Sequence, residues 1–191
     1  KKGGYADLSK EAIWFIGGIL YHGRALIAFT NPSTNSFKRL TPGFEAPVKL
    51  FYGLANRSAA IRIPKYANTP ESKRFEFRTG DATCNPYLAM SAVLMAGLDG
   101  IKNKIDPAKH NLGPFDDNVF AWSEEKKASL LSIPANLAEA MQALKDDHAF
   151  LLEGGVFNED LIQSHIKMKM AEYEAVQNRP HPHEMMLYYN L

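Results

Sequence analysis

The chain has 191 residues, with 22 Lys plus Arg against 21 Asp plus Glu, and a formal net charge of +1. That balance excludes a protein that coats a polyanion, which needs a clear basic excess; 46% hydrophobic and 23% charged residues are the composition of a soluble globular domain, or a piece of a larger one. Cys84 is the single cysteine, which excludes an internal disulfide and points to a reducing compartment, and the longest apolar run, Tyr87 to Leu98, falls short of the ~20 residues of a membrane span.

In chain order, Lys1-Lys2-Gly3-Gly4 leads into polar residues without the apolar stretch of a signal peptide. Ser9 is a candidate N-cap, and Ile13, Ile16, Ile19 and Leu20 make the apolar face of a helix that fades near Thr30-Asn31-Pro32. Residues 31–81 are punctuated by Pro32, Pro42, Pro47, Pro64 and Pro70. Within them Ala60-Ile61-Arg62-Ile63 and Arg74-Phe75-Glu76-Phe77-Arg78 alternate with period two, as strands do. Asn85-Pro86 then opens a helix whose Leu88, Met90, Val93, Leu94, Met95 and Leu98 leave almost no polar face, which predicts a helix enclosed by other elements. Asn136 with Glu139 resembles a capping box, Gly154-Gly155 breaks the chain, and Asn158 caps a longer helix striped by Ile162, Ile166, Met170 and Tyr173. The tail from Met185 to Tyr189 is apolar, which predicts docking on the chain itself or on a partner.

Alternation puts Arg74, Glu76 and Arg78 on one face of their strand, roughly 6.5–7 Å apart, a spacing suited to converging on a shared ligand. Guanidinium forks match carboxylate and phosphate oxygens, and a carboxylate among them can hold Mg²⁺ shared with phosphates. Taken alone, a solvated, salt-bridged strand face explains this stretch better, because exposed charge is the ordinary case. Arg57 and Arg62 strengthen the ligand reading: four arginines and one glutamate on two nearby strands look like a polyphosphate-and-carboxylate site. RNA is the weaker alternative, since Phe75 and Phe77 share the face that excludes the arginines. The loop Lys38 to Pro47 presents Arg39 and Glu45 around the turn Pro42-Gly43; a loop carboxylate over a cleft can serve as base and lid, although a plain surface turn explains the loop alone. His181 and His183 lack the ordered ligand set of a zinc site. His22, His110, His148 and His165 are scattered and read as structural or surface residues, Cys84 reads as a small buried residue, and neither GxxxxGK[ST] nor GxGxxG occurs.

Longer strings carry a resemblance. Asn31-Pro32-Ser33-Thr34-Asn35-Ser36-Phe37-Lys38-Arg39-Leu40, Pro42-Gly43-Phe44-Glu45-Ala46-Pro47, Asn56-Arg57-Ser58-Ala59-Ala60-Ile61-Arg62-Ile63-Pro64, Phe75-Glu76-Phe77-Arg78, Asn85-Pro86-Tyr87, Leu94-Met95-Ala96-Gly97-Leu98-Asp99-Gly100-Ile101 and His181-Pro182-His183 stand in one order along nearly the whole chain. The chain closely resembles the C-terminal part of a bacterial type I glutamine synthetase. The resemblance implies an α+β fold, a mostly helical fragment with a small antiparallel sheet, in which residues 1–191 are the C-terminal portion of the catalytic domain. The N-terminal β-grasp domain and the upstream catalytic half are missing.

The resemblance also implies the chemistry: a cytoplasmic ligase that joins ammonia to the γ-carboxylate of glutamate through γ-glutamyl phosphate, using ATP and Mg²⁺ or Mn²⁺. Carried over by position, Glu45 resembles the flap glutamate that closes the site and helps deprotonate ammonium. Arg39 and Arg78 resemble glutamate-binding arginines, and Arg57 the arginine near the transferred phosphoryl. Arg62 resembles an ATP-phosphate contact, with Arg74 in the neighbouring ATP-side stretch, and Glu76 resembles a metal ligand. Two stacked hexameric rings are implied for the full-length protein, with the tail inserting into the facing ring, and neither a nucleic-acid nor a membrane partner. Three departures stand out. The chain is less than half a usual member, so it is expected to be inactive alone. Phe120 replaces a tyrosine that is adenylylated in some members. Glu71 stands where some members carry a basic residue near ATP. A γ-glutamyl ligase for a larger amine and a non-catalytic, synthetase-like structural protein are the alternatives; the presence of Glu45, Glu76 and the arginines speaks for the ammonia ligase.

Overall fold

The computed structural model of the chain describes residues 3–41 and 46–189, with Phe120 described for its backbone alone. Ser9 accepts the Ala12 N–H at 3.2 Å and opens α1, Lys10–Tyr21, as its side chain predicts. The helix does not run on to Thr30. It breaks at His22, and α2, Gly23–Thr30, leaves at 73° to α1. At the break the His22 side chain is held by two residues remote in sequence, Asp99 and Asp147. A short α3, Thr34–Arg39, follows under a reciprocal cap between Ser33 and Ser36, inside a stretch read as turn.

The sheet has three strands in the order β1 (Lys49–Leu54), β2 (Ala59–Ile63), β3 (Glu76–Phe77). β2 pairs antiparallel with β3, but β1 pairs parallel with β2, so the sheet is mixed rather than antiparallel. Residues 55–58 make the reversal, starting from Ala55 at φ 57°. The far edge of β1 is also satisfied: the Leu50 and Tyr52 N–H groups donate to the Leu131 and Leu112 carbonyls. Consecutive residues Leu50 to Gly53 are buried, so β1 is covered on both faces and shows no alternation in its sequence.

α1 packs on β1 and β2, and the other helices pack chiefly on one another. Asn85 caps α4, Pro86–Asn103, with Pro86 in its first turn. Asn136 caps α6, Leu137–Asp146, and Asn158 caps α7, Glu159–Gln177; a short α5, Glu124–Ala128, precedes them and α8, Pro182–Tyr188, ends the series. Gly154 and Gly155, at φ 66° and 69°, make the break before α7. Ala89, Ala92 and Ala96 of α4 are buried, whereas Tyr87, Met90, Leu94 and Leu98 are exposed. The expected enclosure of this helix therefore holds for one face only. The tail from Met185 to Tyr189 stays exposed and does not dock on the described residues. Among those residues no single helix is long and apolar enough to cross a membrane; α1 and α2 reach that length only together, across their bend.

α1 and α4 cross at glycine. A Cβ on Gly18 would run into the Ala96 carbonyl oxygen and the backbone of Gly100, well inside contact distance. Neither backbone can yield without separating the helices, so Gly18→Ala is expected to lower stability by about 2–3 kcal/mol. Thermal unfolding of the purified variant measures it, and an unchanged midpoint would refute the contact.

Candidate functional site

β2 and β3 meet where the charged residues lie. Arg62 and Glu76 are direct cross-strand partners, and Arg62 Nη1 donates to Glu76 Oε2 at 2.9 Å. Cross-strand pairing thus brings together two residues that the sequence assigns to one site. Glu76 Oε1 lies 4.0 Å from Arg74 Nε. Arg74 also lies 5.3 Å above the Tyr66 ring and donates to the Tyr66 hydroxyl at 2.9 Å. Arg62 Nε is buried with no partner among the described residues, a donor left over after the ion pair is made.

Arg78 extends the strand, its N–H donating to the Ala60 carbonyl at 2.9 Å. Its guanidinium donates to the Arg57 carbonyl, and to that of Ala59 at 3.4 Å. Arg39, at the end of α3, donates to the carbonyls of Thr79 at 3.1 Å, Gly80 at 3.3 Å and Arg78 at 3.2 Å. Both arginines therefore brace backbone, and a guanidinium's five donors leave others for further partners. Burial, and next the charge of Arg62, pull the Arg78 pKa below its usual value; Arg39 and Arg57 add to this and Glu76 opposes it. Three guanidiniums and one carboxylate thus act on Arg78, an excess of positive charge that a bound anion would relieve. Arg57 is exposed in the reversal before β2. Glu45 lies outside the described residues, between Thr41 and Ala46.

Sequence reasoning missed several supporting residues. Asn31 is fully buried and donates to the Thr79 carbonyl at 2.9 Å, beside Arg39. Asp81 accepts from the Thr83 N–H at 2.7 Å and hydroxyl at 2.6 Å. Its burial would raise its pKa, but hydrogen bonds from Ser36 and Thr83 and the charge of Arg39 bring it net below the usual value, so it stays ionised. Tyr66 follows Pro64 with no strand pattern around it, and its pairing with Arg74 is visible only in three dimensions.

As a divalent-cation site, the described residues supply the hard oxygens of Glu76, and no group of three or more His, Cys, Asp or Glu gathers among them.

Comparison with known proteins bears on this arrangement. The family model "Glutamine synthetase, catalytic domain" matches residues 1–188. Glutamine synthetases from Nostoc sp. and Aquifex aeolicus are 53% and 51% identical, each over 98% of this chain and 39% of the relative. The chain thus spans about two fifths of the length of the curated relatives it matches. Among solved structures, ligand-free GmaS superimposes with a TM-score of 0.81 at 31% identity, covering 100% of this chain and 41% of GmaS. Plasmodium falciparum glutamine synthetase gives 0.80 at 35%, covering 96% and 42%.

Proposed function

The chain belongs to the glutamine synthetase family, and on that premise we propose that its arginine-rich sheet is the glutamate- and phosphate-facing part of an enzyme ligating ammonia to L-glutamate. The observation that carries this reading is that Glu76 pairs with Arg62 and Arg74 beside Arg78, on whose guanidinium Arg39, Arg57 and Arg62 converge. In the proposed reaction a γ-carboxylate oxygen of glutamate attacks the terminal phosphorus of ATP and ADP leaves. Ammonia then attacks the γ-carbonyl carbon, and phosphate departs to give glutamine.

Arg39 and Arg78 would hold the glutamate carboxylates, with Arg62 and Arg74 on the ATP phosphates. Arg57 would offset charge on the phosphoryl group in transfer. Glu45 would close the site and take the proton from ammonium, leaving free amine as the nucleophile. Mg²⁺ or Mn²⁺ held in part by Glu76 supplies charge neutralisation at the phosphate oxygens when bound. The 191 residues alone are expected to be inactive, and the full-length polypeptide to work as a cytoplasmic assembly of two stacked rings.

The test is glutamine formation by the full-length polypeptide that carries these residues, against its Glu45→Ala variant, with ammonia and a panel of small amines. Turnover with ammonia that Glu45→Ala lowers by on the order of a hundredfold or more supports the proposal. Turnover with a larger amine alone moves the assignment to a related γ-glutamyl ligase, and no turnover with any nucleophile favours a structural role.

A further inference from the structure

Arg57 lies in the reversal between β1 and β2, and we infer that Asn56 is the residue that positions it. This rests on the reading of Arg57 as the charge-offsetting arginine of the proposed reaction. Asn56 is 8% exposed, whereas Arg57 beside it is exposed. Its carboxamide uses its full hydrogen-bonding capacity. Nδ2 donates to the carbonyls of Phe115 at 2.8 Å and Asp117 at 2.9 Å. Oδ1 accepts from the Ser58 N–H at 3.0 Å and the Ser58 hydroxyl at 2.6 Å. The acceptor pair closes an Asx turn around Arg57, and the donor pair ties that turn to residues 115–117.

The anchor it reaches is firm. The Phe115 N–H donates to the Tyr52 carbonyl at 2.9 Å, and the Leu54 N–H to Asp116 Oδ1 at 2.8 Å. The Phe115 ring packs against Phe51 at 5.7 Å and Trp122 at 5.1 Å. Within the turn Asn56 is buried, whereas Ala55 and Arg57 are exposed and Ser58 is half-buried. A cavity of about 290 Å³ lies between it and the anchor, lined by Asn56, Arg57, Asp116 and Asn118 among others. Ala55 starts the reversal at φ 57°, a conformation that a residue with a Cβ keeps only when its surroundings impose it. Hydrogen bonds therefore set where Arg57 stands: those of Asn56 on one side, and Arg78 donating to the Arg57 carbonyl on the other.

The experiment is a double-mutant cycle in the full-length enzyme. Asn56→Asp keeps volume and acceptors but sets a carboxylate against the Phe115 and Asp117 carbonyls. It is expected to lower kcat at least about tenfold, with KM for glutamate changed less than about threefold. In an Arg57→Ala background the same change is expected to cost less than about twofold, because its effect runs through Arg57. Equal losses with and without Arg57 would overturn the inference. Loss on Arg57→Ala but none on Asn56→Asp removes the inference and leaves the role of Arg57 standing; full kcat in Arg57→Ala removes both. If Asn56→Asp does not fold, Ser58→Ala carries the same cycle. It deletes a single hydrogen bond to Asn56, with an expected loss of about two- to fivefold that disappears without Arg57.

Discussion

Glu76→Gln is expected to lower kcat/KM for glutamine formation by the full-length enzyme on the order of a hundredfold to a thousandfold, with little change in stability. Glutamine keeps the shape of the side chain and can still accept from Arg62 Nη1, now 2.9 Å from Oε2. What it removes is the negative charge between Arg62 and Arg74, and with it a hard oxygen for a divalent cation. Loss of one charge-stabilising group at a phosphoryl-transfer site costs about two to three powers of ten. The folding cost is small because neither partner is deeply buried: the side chains of Arg62 and Glu76 are 20% and 32% exposed, so solvent screens the pair to about 1 kcal/mol or less. Turnover measured across a Mg²⁺ titration, beside the melting temperature, separates the two effects. The variant should need more Mg²⁺ for half-maximal rate while melting close to wild type. Wild-type turnover with an unshifted Mg²⁺ dependence would remove Glu76 from the metal role.

What the sequence disclosed follows from the range of the forces involved. Helix starts are set by one side chain and the next three or four N–H groups, so Ser9, Asn85, Asn136 and Asn158 were legible as caps. Alternation in Ala60-Ile61-Arg62-Ile63 placed β2 for the same local reason. The direction of β1 was not legible, because a strand buried on both faces carries no period that records its partner. The all-round apolar character of α4 predicts enclosure on every side, but Tyr87, Met90, Leu94 and Leu98 lie uncovered by the rest of the described chain. At the site, the alternation of Arg74, Glu76 and Arg78 indicated a shared face, and the Arg62–Glu76 pairing followed once two strands met. That Arg39 and Arg78 brace backbone carbonyls was not readable, since those contacts join residues about 20 to 40 positions apart. His22 looks isolated in the sequence because its partners lie 77 and 125 residues away.

His22→Phe is expected to cost about 3 kcal/mol of stability near pH 6 and clearly less at pH 9. The His22 ring lies between two carboxylates, with Nδ1 2.8 Å from Asp147 Oδ2 and Nε2 3.1 Å from Asp99 Oδ2. A neutral imidazole donates from one nitrogen only, so satisfying both contacts requires the imidazolium. Burial by itself would lower the pKa of His22, but hydrogen bonds and charge attraction from Asp147, and then from Asp99, raise it above the ordinary value of 6.5. With the folded value above the unfolded one, the contribution is complete below about pH 6.5 and is lost as pH rises through the folded value. Phenylalanine preserves stacking on Phe150, whose ring centre lies 4.0 Å from that of His22, and removes both donors. Two aspartates are then left facing each other without their counter-charge, a loss of about 3–5 kcal/mol in a fully buried cluster. The estimate sits at the lower end because the Asp147 side chain is 40% exposed and water screens it. His165 works in the opposite sense. Burial lowers its pKa while Nε2 lies 3.1 Å from the Ala28 carbonyl, so its contribution is present above about pH 6.5 and is lost as pH falls. Thermal unfolding of wild type and His22→Phe from pH 5 to 9 isolates the His22 contribution, because His165 titrates in both proteins. The two curves should converge toward alkaline pH; parallel curves would mean that His22 is held neutral and donates to one aspartate only.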